Sequence, residues 1–355
     1  MFDLPQPTTL GRAIELGDYL RRSPLRLGEA PGHKEWLHFC IATPELHVLL
    51  NWSLLDQATA RGADDSRRSA GEKARFLALV CEDGGWTGGF APPPFGDVDA
   101  VGGAVHLRIG GASLAFRDGV YVVAIDEPEL GLVADLRFHP VTHPSIVHNF
   151  PTGDSTMHWF ALPRSWCSGT MVTNGRVHHL RGAAAYHDHN WGSFGWGGDY
   201  SWTWGFAVPQ GLAEPWSVIF LTMHDRRGRR CEVQGLFVWR HGREKRLFRD
   251  RQIDVIREGL MRPRHVHKVP GVLRLASPGT ATDVPRRLRL EAAAGNDHVR
   301  LAYEPQHLAQ VLVPNDGDAG LTTLQETAGA MMVEGRIDGE EFCFETPSIV
   351  EFLGA

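Results

Sequence analysis

Lysine is nearly absent: Lys34, Lys73, Lys245 and Lys268 are the only four, and arginine supplies the rest of the 36 basic residues. The balance is acidic, with 42 Asp and Glu and a formal net charge of -6. This excludes the basic surface that a dedicated nucleic-acid binder uses to displace counterions. Cysteine is sparse, odd in number and scattered. Cys40, Cys81, Cys167, Cys231 and Cys343 never form C-x-x-C, so neither a disulfide scaffold nor a thiolate metal site is expected, and reduced cytoplasmic thiols fit. No run of about 20 apolar residues is present, so membrane contact is at most peripheral. The opening MFDLPQPTTLGRAIELGDYLRR carries acids and two prolines where a secretory peptide needs a basic start and an unbroken apolar stretch. No G-x-G-x-x-G in a strand–helix context, no Walker A sequence and no G-x-S-x-G elbow occurs, which argues against nucleotide cofactors and an α/β-hydrolase.

What is present is a globular composition, 43% hydrophobic and 22% charged over 355 residues, which is long enough for two domains at about 150 residues each. Short apolar runs are punctuated by turn dipeptides. Asp118-Gly119, Asn174-Gly175 and Asp338-Gly339 each tolerate the positive φ of two-residue hairpins, and Gly110-Gly111 and His241-Gly242 mark two further reversals. The pattern predicts an all-β fold. Two helices are expected, Leu10 to Arg22 and Asp65 to Val80, the latter ending in ARFLALV. The run APPPF (Ala91 to Phe95) reads as a loop or edge, because proline lacks the ladder donor. Composition shifts between Asn190 and Pro215, where Gly and Trp crowd together, and this places an inter-domain seam between residues 1–200 and 201–355. The basic turn Arg226, Arg227, Arg229 and Arg230 reads as solvent-facing.

Chemistry concentrates in Tyr186-His187-Asp188-His189-Asn190-Trp191-Gly192 and the SFGWGGDYSWTWGF that follows. On a strand, Tyr186, Asp188 and Asn190 project to one face and His187, His189 and Trp191 to the other, so only one set lines a given cavity. An acid among apolar and aromatic groups is poorly solvated and stays protonated near neutral pH, ready to give up a proton. Protonating an alkene creates a carbocation, which indole faces stabilise by about 2 kcal/mol each when desolvated. Trp202 and Trp204 are expected to do this beside Trp191. The bland reading makes the tryptophans core filler and Asp188 a turn cap. His187-x-His189 has strand metal geometry, but no carboxylate follows until Asp199, so no metal and no other cofactor is expected.

The heptapeptide, with Gly182 upstream, resembles the signature of carotenoid 1,2-hydratases (hydroxyneurosporene synthases), which belong with the AttH-like, lipocalin-like proteins. Glu35-Trp36-Leu37-His38-Phe39 resembles the aromatic strand that opens such chains, MHWFALPRSWCSGTM the strand before the signature, and GRIDGEEFCFETPSIVEF the closing strand. The resemblance implies two lipocalin-like antiparallel β-barrels with an apolar pocket near their junction. It also implies a cofactor-independent hydratase or cyclase acting on a hydrophobic isoprenoid or polyene. His189 and Trp191 would then assist an acid that is either Asp188 or Asp225. Met223-His224-Asp225 stands where the hydratases carry a Tyr-x-Asp element, with Met in place of Tyr. His187 joins the expected catalytic set, and Tyr186, Asn190, Trp36, Trp191, Trp202 and Trp204 the expected substrate wall. A non-catalytic carrier of a hydrophobic small molecule, or a Diels-Alder type cyclase, would use the same pocket.

Overall fold

The computed structural model describes residues 7–21, 33–55, 74–92, 98–152, 155–197, 200–211, 213–225, 231–271, 279–316 and 320–354. Among these, a single α-helix, α1 (Pro7–Gly17), precedes two curled sheets. The first contains β1 (His33–Ala42), β2 (Leu46–Leu55), β3 (Ala74–Glu82), β4 (Gly85–Phe90), β5 (Val98–Ala100) and β6 (His106–Ile109). It continues with β7 (Ala112–Arg117), β8 (Val120–Glu127), β9 (Leu132–Pro140), β10 (Ser145–Thr152), β11 (Ser155–Thr173) and β12 (Arg176–Ser193). Its spatial order is β4-β3-β2-β1-β12-β11-β9-β8-β7-β6-β5, with β10 on β11.

The chain passes to the second sheet between Ser193 and Tyr200. That sheet contains β13 (Tyr200–Ala207), β14 (Trp216–Asp225), β15 (Cys231–Arg240), β16 (Arg243–Arg249) and β17 (Ile253–Leu260). It is completed by β18 (Val266–Val269), β19 (Pro285–Ala294), β20 (Asp297–Pro314), β21 (Leu321–Ile337) and β22 (Glu340–Gly354). The order is β16-β15-β14-β13-β22-β21-β20-β19-β17, and β18 joins β20 in parallel, the one parallel pairing among the described residues. The all-β expectation holds.

The turn dipeptides do the work their chemistry allows. Asp118-Gly119, Asn174-Gly175, Asp338-Gly339 and His241-Gly242 all sit at positive φ, between 49° and 83°, and each joins adjacent antiparallel strands. The expected helix from Leu10 is observed but ends at Gly17, and Arg22 lies outside the described residues. Of the expected helix Asp65 to Val80, residues 65–73 lie outside the described residues, and Ala74 onward is β3 instead. The reason is burial on both faces: Phe76, Ala78 and Val80 enter the first sheet's interior while Leu77, Leu79 and Cys81 enter the layer between the sheets. A doubly buried strand reads as a continuous apolar run, which periodicity alone cannot separate from a buried helix. Ala91 and Pro92 are outside any strand; the rest of APPPF, the turn Arg226 to Arg230, and Asp199 lie outside the described residues.

Three apolar layers follow from this arrangement. The first sheet wraps a core of Leu37, Phe39, Leu50, Trp52, Tyr121 and Phe138, and Leu10 and Ile14 of α1, one helical turn apart, cap it. The second sheet wraps Phe220, Leu236, Val238, Leu288, Tyr303 and Met331. Between the sheets lies the most aromatic layer, with Trp86, Trp159, Trp196, Trp202, Trp204, Trp239 and Tyr186. Each large side chain buried there contributes about 1.5–3 kcal/mol relative to exposure, so this layer holds the two sheets together. Polar links reinforce it: fully buried Lys34 reaches Asp316 at 2.7 Å and the Phe194 carbonyl at 2.6 Å, and His267 Nε2 is 2.8 Å from the Gly88 carbonyl. Among the described residues no helix is long and apolar enough to cross a membrane.

Candidate functional site

β12 lies between β1 and β11 and is buried on both sides from Ala183 to Gly192. Its alternation therefore sorts one motif into two compartments. Tyr186, Asp188 and Asn190 face the layer between the sheets; His187, His189 and Trp191 face the interior of the first sheet. Gly192 closes the motif because a Cβ there would stand 2.5 Å from the Thr156 carbonyl oxygen of β11.

On the inter-sheet side lies a cavity of about 100 Å³, partly open to solvent. The first sheet lines it with Trp36 and His38 of β1, Asn51 and Ser53 of β2, Arg75 of β3, Trp159 of β11, and Asp188 and Asn190 of β12. The second sheet contributes Trp202 and Trp204 of β13, Leu221 of β14, Glu326 of β21 and Glu351 of β22, and Trp196 of the crossover adds a further wall. Trp36 stacks on Trp196 with centroids 6.1 Å apart, and Trp204 packs 5.0 Å from Tyr186 and 5.4 Å from His38.

Asp188 is the acid of the first sheet's wall. It is 3% exposed, accepts the Tyr186 hydroxyl on Oδ2 at 2.9 Å, and accepts the Asn190 amide on Oδ1 at 2.8 Å. Burial pushes its pKa up to about 7; the Tyr186 and Trp159 hydrogen bonds pull the other way, Glu351 raises it further, and the His189 charge lowers it slightly. Because Tyr186 and Asn190 both donate to it, the proton Asp188 carries is free to point elsewhere. His38, its register partner on β1, is buried and held neutral, its pKa lowered to about 3 by burial and by His187. On the second sheet's wall Glu326 and Glu351 are register partners, and burial raises both, Glu326 well above the ordinary carboxyl range.

The histidines occupy a separate charge network. His187 Nε2 lies 2.9 Å from Asp18 Oδ2, and His189 bridges Asp18 Oδ1 at 2.6 Å and Glu35 Oε1 at 2.8 Å. Asp18 also accepts the Tyr121 hydroxyl. Burial alone would lower the His189 pKa, but its two carboxylate hydrogen bonds raise it to about 9. Burial would likewise raise Asp18 and Glu35, yet His187 and His189 hold the first far below the carboxylate range and His189 and His33 hold the second at about 2. Trp191 joins this side, sandwiched between the Arg21 guanidinium at 4.0 Å and the His158 ring at 5.3 Å.

The structure thus brings Asp188, Asn190, Trp36, Trp202 and Trp204 to one cavity with Tyr186 behind them, and sends His187, His189 and Trp191 elsewhere. The expectation that the two histidines position Asp188 gives way to a structural link with Asp18 and Glu35, because residues of opposite parity on a strand cannot share a face. Asp225 ends β14 half-buried and is not part of the cavity wall. Sequence reasoning missed His38, Trp159, Glu326 and Glu351. Glu351 sits in the closing-strand resemblance, His38 in the opening one and Trp159 in the segment before the signature, so these three lie in marked segments; no local motif marks Glu326. Among the described residues, no group of three or more His, Cys, Asp or Glu is arranged to hold a metal ion.

No family model matches the chain, and no curated protein matches it in sequence. Solved structures do match in shape. An AttH-like protein from Nitrosomonas europaea superposes with a TM-score of 0.61 at 14% identity, covering 91% of this chain and 92% of the other. CghA bound to Sch210972 gives 0.59 at 11% identity over 91% and 88%. The fold is AttH-like and lipocalin-like. Kievitone hydratase from Nectria haematococca shares this lipocalin-like fold, with a TM-score of 0.55 at 10% identity over 100% of this chain and 94% of that one. At these identities the likeness is one of architecture.

Proposed function

We propose that this chain is a cofactor-independent hydratase or cyclase that protonates a carbon–carbon double bond of a hydrophobic isoprenoid or polyene held between its two lipocalin-like halves. The observation that carries this reading is Asp188: a buried carboxyl, gripped by two donors, on the wall of an aromatic cavity. Asp188 gives its proton to one alkene carbon, the π bond breaks, and a tertiary cation forms at the other. Trp36, Trp196, Trp202 and Trp204 shield that cation with their indole faces. Water captures it to give an alcohol, or an internal double bond captures it to give a ring. Kievitone hydratase, by its name a hydratase with the same fold, supports the first outcome. The free thiols of all five cysteines support a reducing, cytoplasmic setting.

The test is incubation of the purified protein with an acyclic isoprenoid polyene in oxygen-labelled water, followed by mass spectrometry. Hydration adds labelled oxygen; cyclisation changes retention without changing mass. Recovery of the polyene unchanged but bound identifies a carrier instead, and full turnover by both Asp188→Asn and Asp225→Asn rules out acid catalysis by either residue.

A further inference from the structure

The proposed mechanism uses one of the three carboxyls on the cavity wall. The other two, Glu326 and Glu351, stand opposite each other in the β21–β22 register and face the same space from the second sheet. Trp202 Nε1 donates to Glu351 Oε1. Glu326 is 2% exposed and its carboxyl hydrogen-bonds that of Glu351, while Nε1 of Trp196 on the adjoining wall has no hydrogen-bond partner among the described residues. Carboxyls are rarely buried on an apolar wall, so a hydrogen-bonded pair of them lining a cavity marks where a polar or charged part of a ligand belongs.

Charge narrows what that part is. Two carboxyls that hydrogen-bond each other do not both ionise, so the pair keeps at least one proton and carries at most one negative charge. Arg75 is the one Arg or Lys on the cavity wall among the described residues. An anionic head group would meet three acids; a cation would meet the Glu326–Glu351 carboxyls with Trp202 and Trp204 on the same wall.

We propose that Glu326 and Glu351 act as one unit, a second chemical pole that holds the cationic end of the reacting species and takes up the proton released when that cation is captured. This rests on Asp188 as the acid. Asp188 loses its proton to carbon and becomes a carboxylate. When water adds, its oxygen forms the C–O bond and the surplus proton passes to the Glu326–Glu351 pair, which becomes neutral. When an internal alkene adds instead, a C–H bond next to the final cation breaks, its electrons form the new double bond, and the proton goes to the same pair. Exchange with solvent through the cavity mouth returns Asp188 and the pair to their starting states. Raised basicity suits the role: burial makes this pair a stronger proton acceptor than an exposed carboxylate.

A stable mimic of the cation tests the pole without knowledge of the natural substrate. N,N-dimethyldodecylamine, protonated at pH 6, and neutral dodecan-1-ol are titrated into the full-length protein at that pH, where Asp188 is protonated, with tryptophan fluorescence as the readout. Wild type is expected to bind the ammonium at least tenfold more tightly than the alcohol. Glu326→Gln/Glu351→Gln loses that preference while still binding the alcohol, which also shows that the variant is folded; Asp188→Asn keeps it. An ammonium preference that persists in the double variant, or that disappears in Asp188→Asn alone, overturns the second pole and leaves the acid role of Asp188 standing. Failure of wild type to bind either probe overturns the apolar cavity reading itself, and this inference with it.

Discussion

Asp188 and His189 share a peptide bond but face opposite sides of β12: the carboxyl of Asp188 borders the inter-sheet cavity, while the His189 imidazole lies inside the first sheet between Asp18 at 2.6 Å and Glu35 at 2.8 Å. Adjacent residues of one motif therefore have separable jobs. Asp188→Asn should lower turnover of a polyene substrate by about 100-fold or more, the usual worth of a positioned acid, with an unchanged circular dichroism spectrum. Turnover within a few-fold of wild type would remove Asp188 from the mechanism.

On the proposed mechanism protonated Asp188 is the proton donor, so activity should fall as pH rises through about 7. The Tyr186 hydroxyl favours the ionised form by donating to Oδ2. Tyr186→Phe should consequently shift the alkaline limb of the pH–rate profile upward, and a shift downward contradicts the donor role.

His189→Gln should destabilise the fold by about 3–5 kcal/mol, because it strands two buried carboxylates without their shared cation. Asp18→Asn should act in the same direction. Urea midpoints measure both, and the turnover of whatever folded His189→Gln protein remains should stay within a few-fold of wild type.

The same network fixes a pH window for stability. His189 is raised from 6.5 to about 9, so its contribution is complete below pH 6.5 and is lost as pH rises through 9; the shift is worth roughly 3 kcal/mol. Glu35 is lowered from 4.5 to about 2, so its contribution is complete above pH 4.5 and is lost as pH falls through 2. Asp188, raised from 3.8 to about 7, adds a loss as pH climbs between those values. Urea midpoints should decline from about pH 7 to 9, and a flat profile there would show that His189 is not charged in the folded state.

Gly192→Ala should cost about 1–3 kcal/mol, since the added methyl meets the backbone oxygen of Thr156 rather than a movable side chain. Thermal melting reads it directly.

The fold was legible because its turns are encoded locally: Asp118-Gly119 and Asn174-Gly175 can be read without knowing where their strands go. Half of the candidate site was legible for the same reason, since Tyr186, Asp188 and Asn190 lie within five consecutive residues and strand parity groups them. What parity does not reveal is which group meets the cavity, because β12 is buried on both faces and neither side looks like solvent. Glu326 and Glu351 escaped because their meeting is made by the β21–β22 register, a long-range pairing without a short-range mark. Ala74 to Val80 reads as helix in the sequence for the related reason that burial on both faces of β3 erases alternation.

A strand that separates two interiors tolerates exchange of residues far better than a change in their number. Deleting or inserting one residue in β12 ahead of Tyr186 would invert every position downstream, pushing imidazoles into the cavity and an acid into the first sheet's core. Lineages and engineers can therefore retune what the cavity accepts by substitution at Tyr186, Asp188 and Asn190, whereas indels in this strand should vanish from any population of folded descendants.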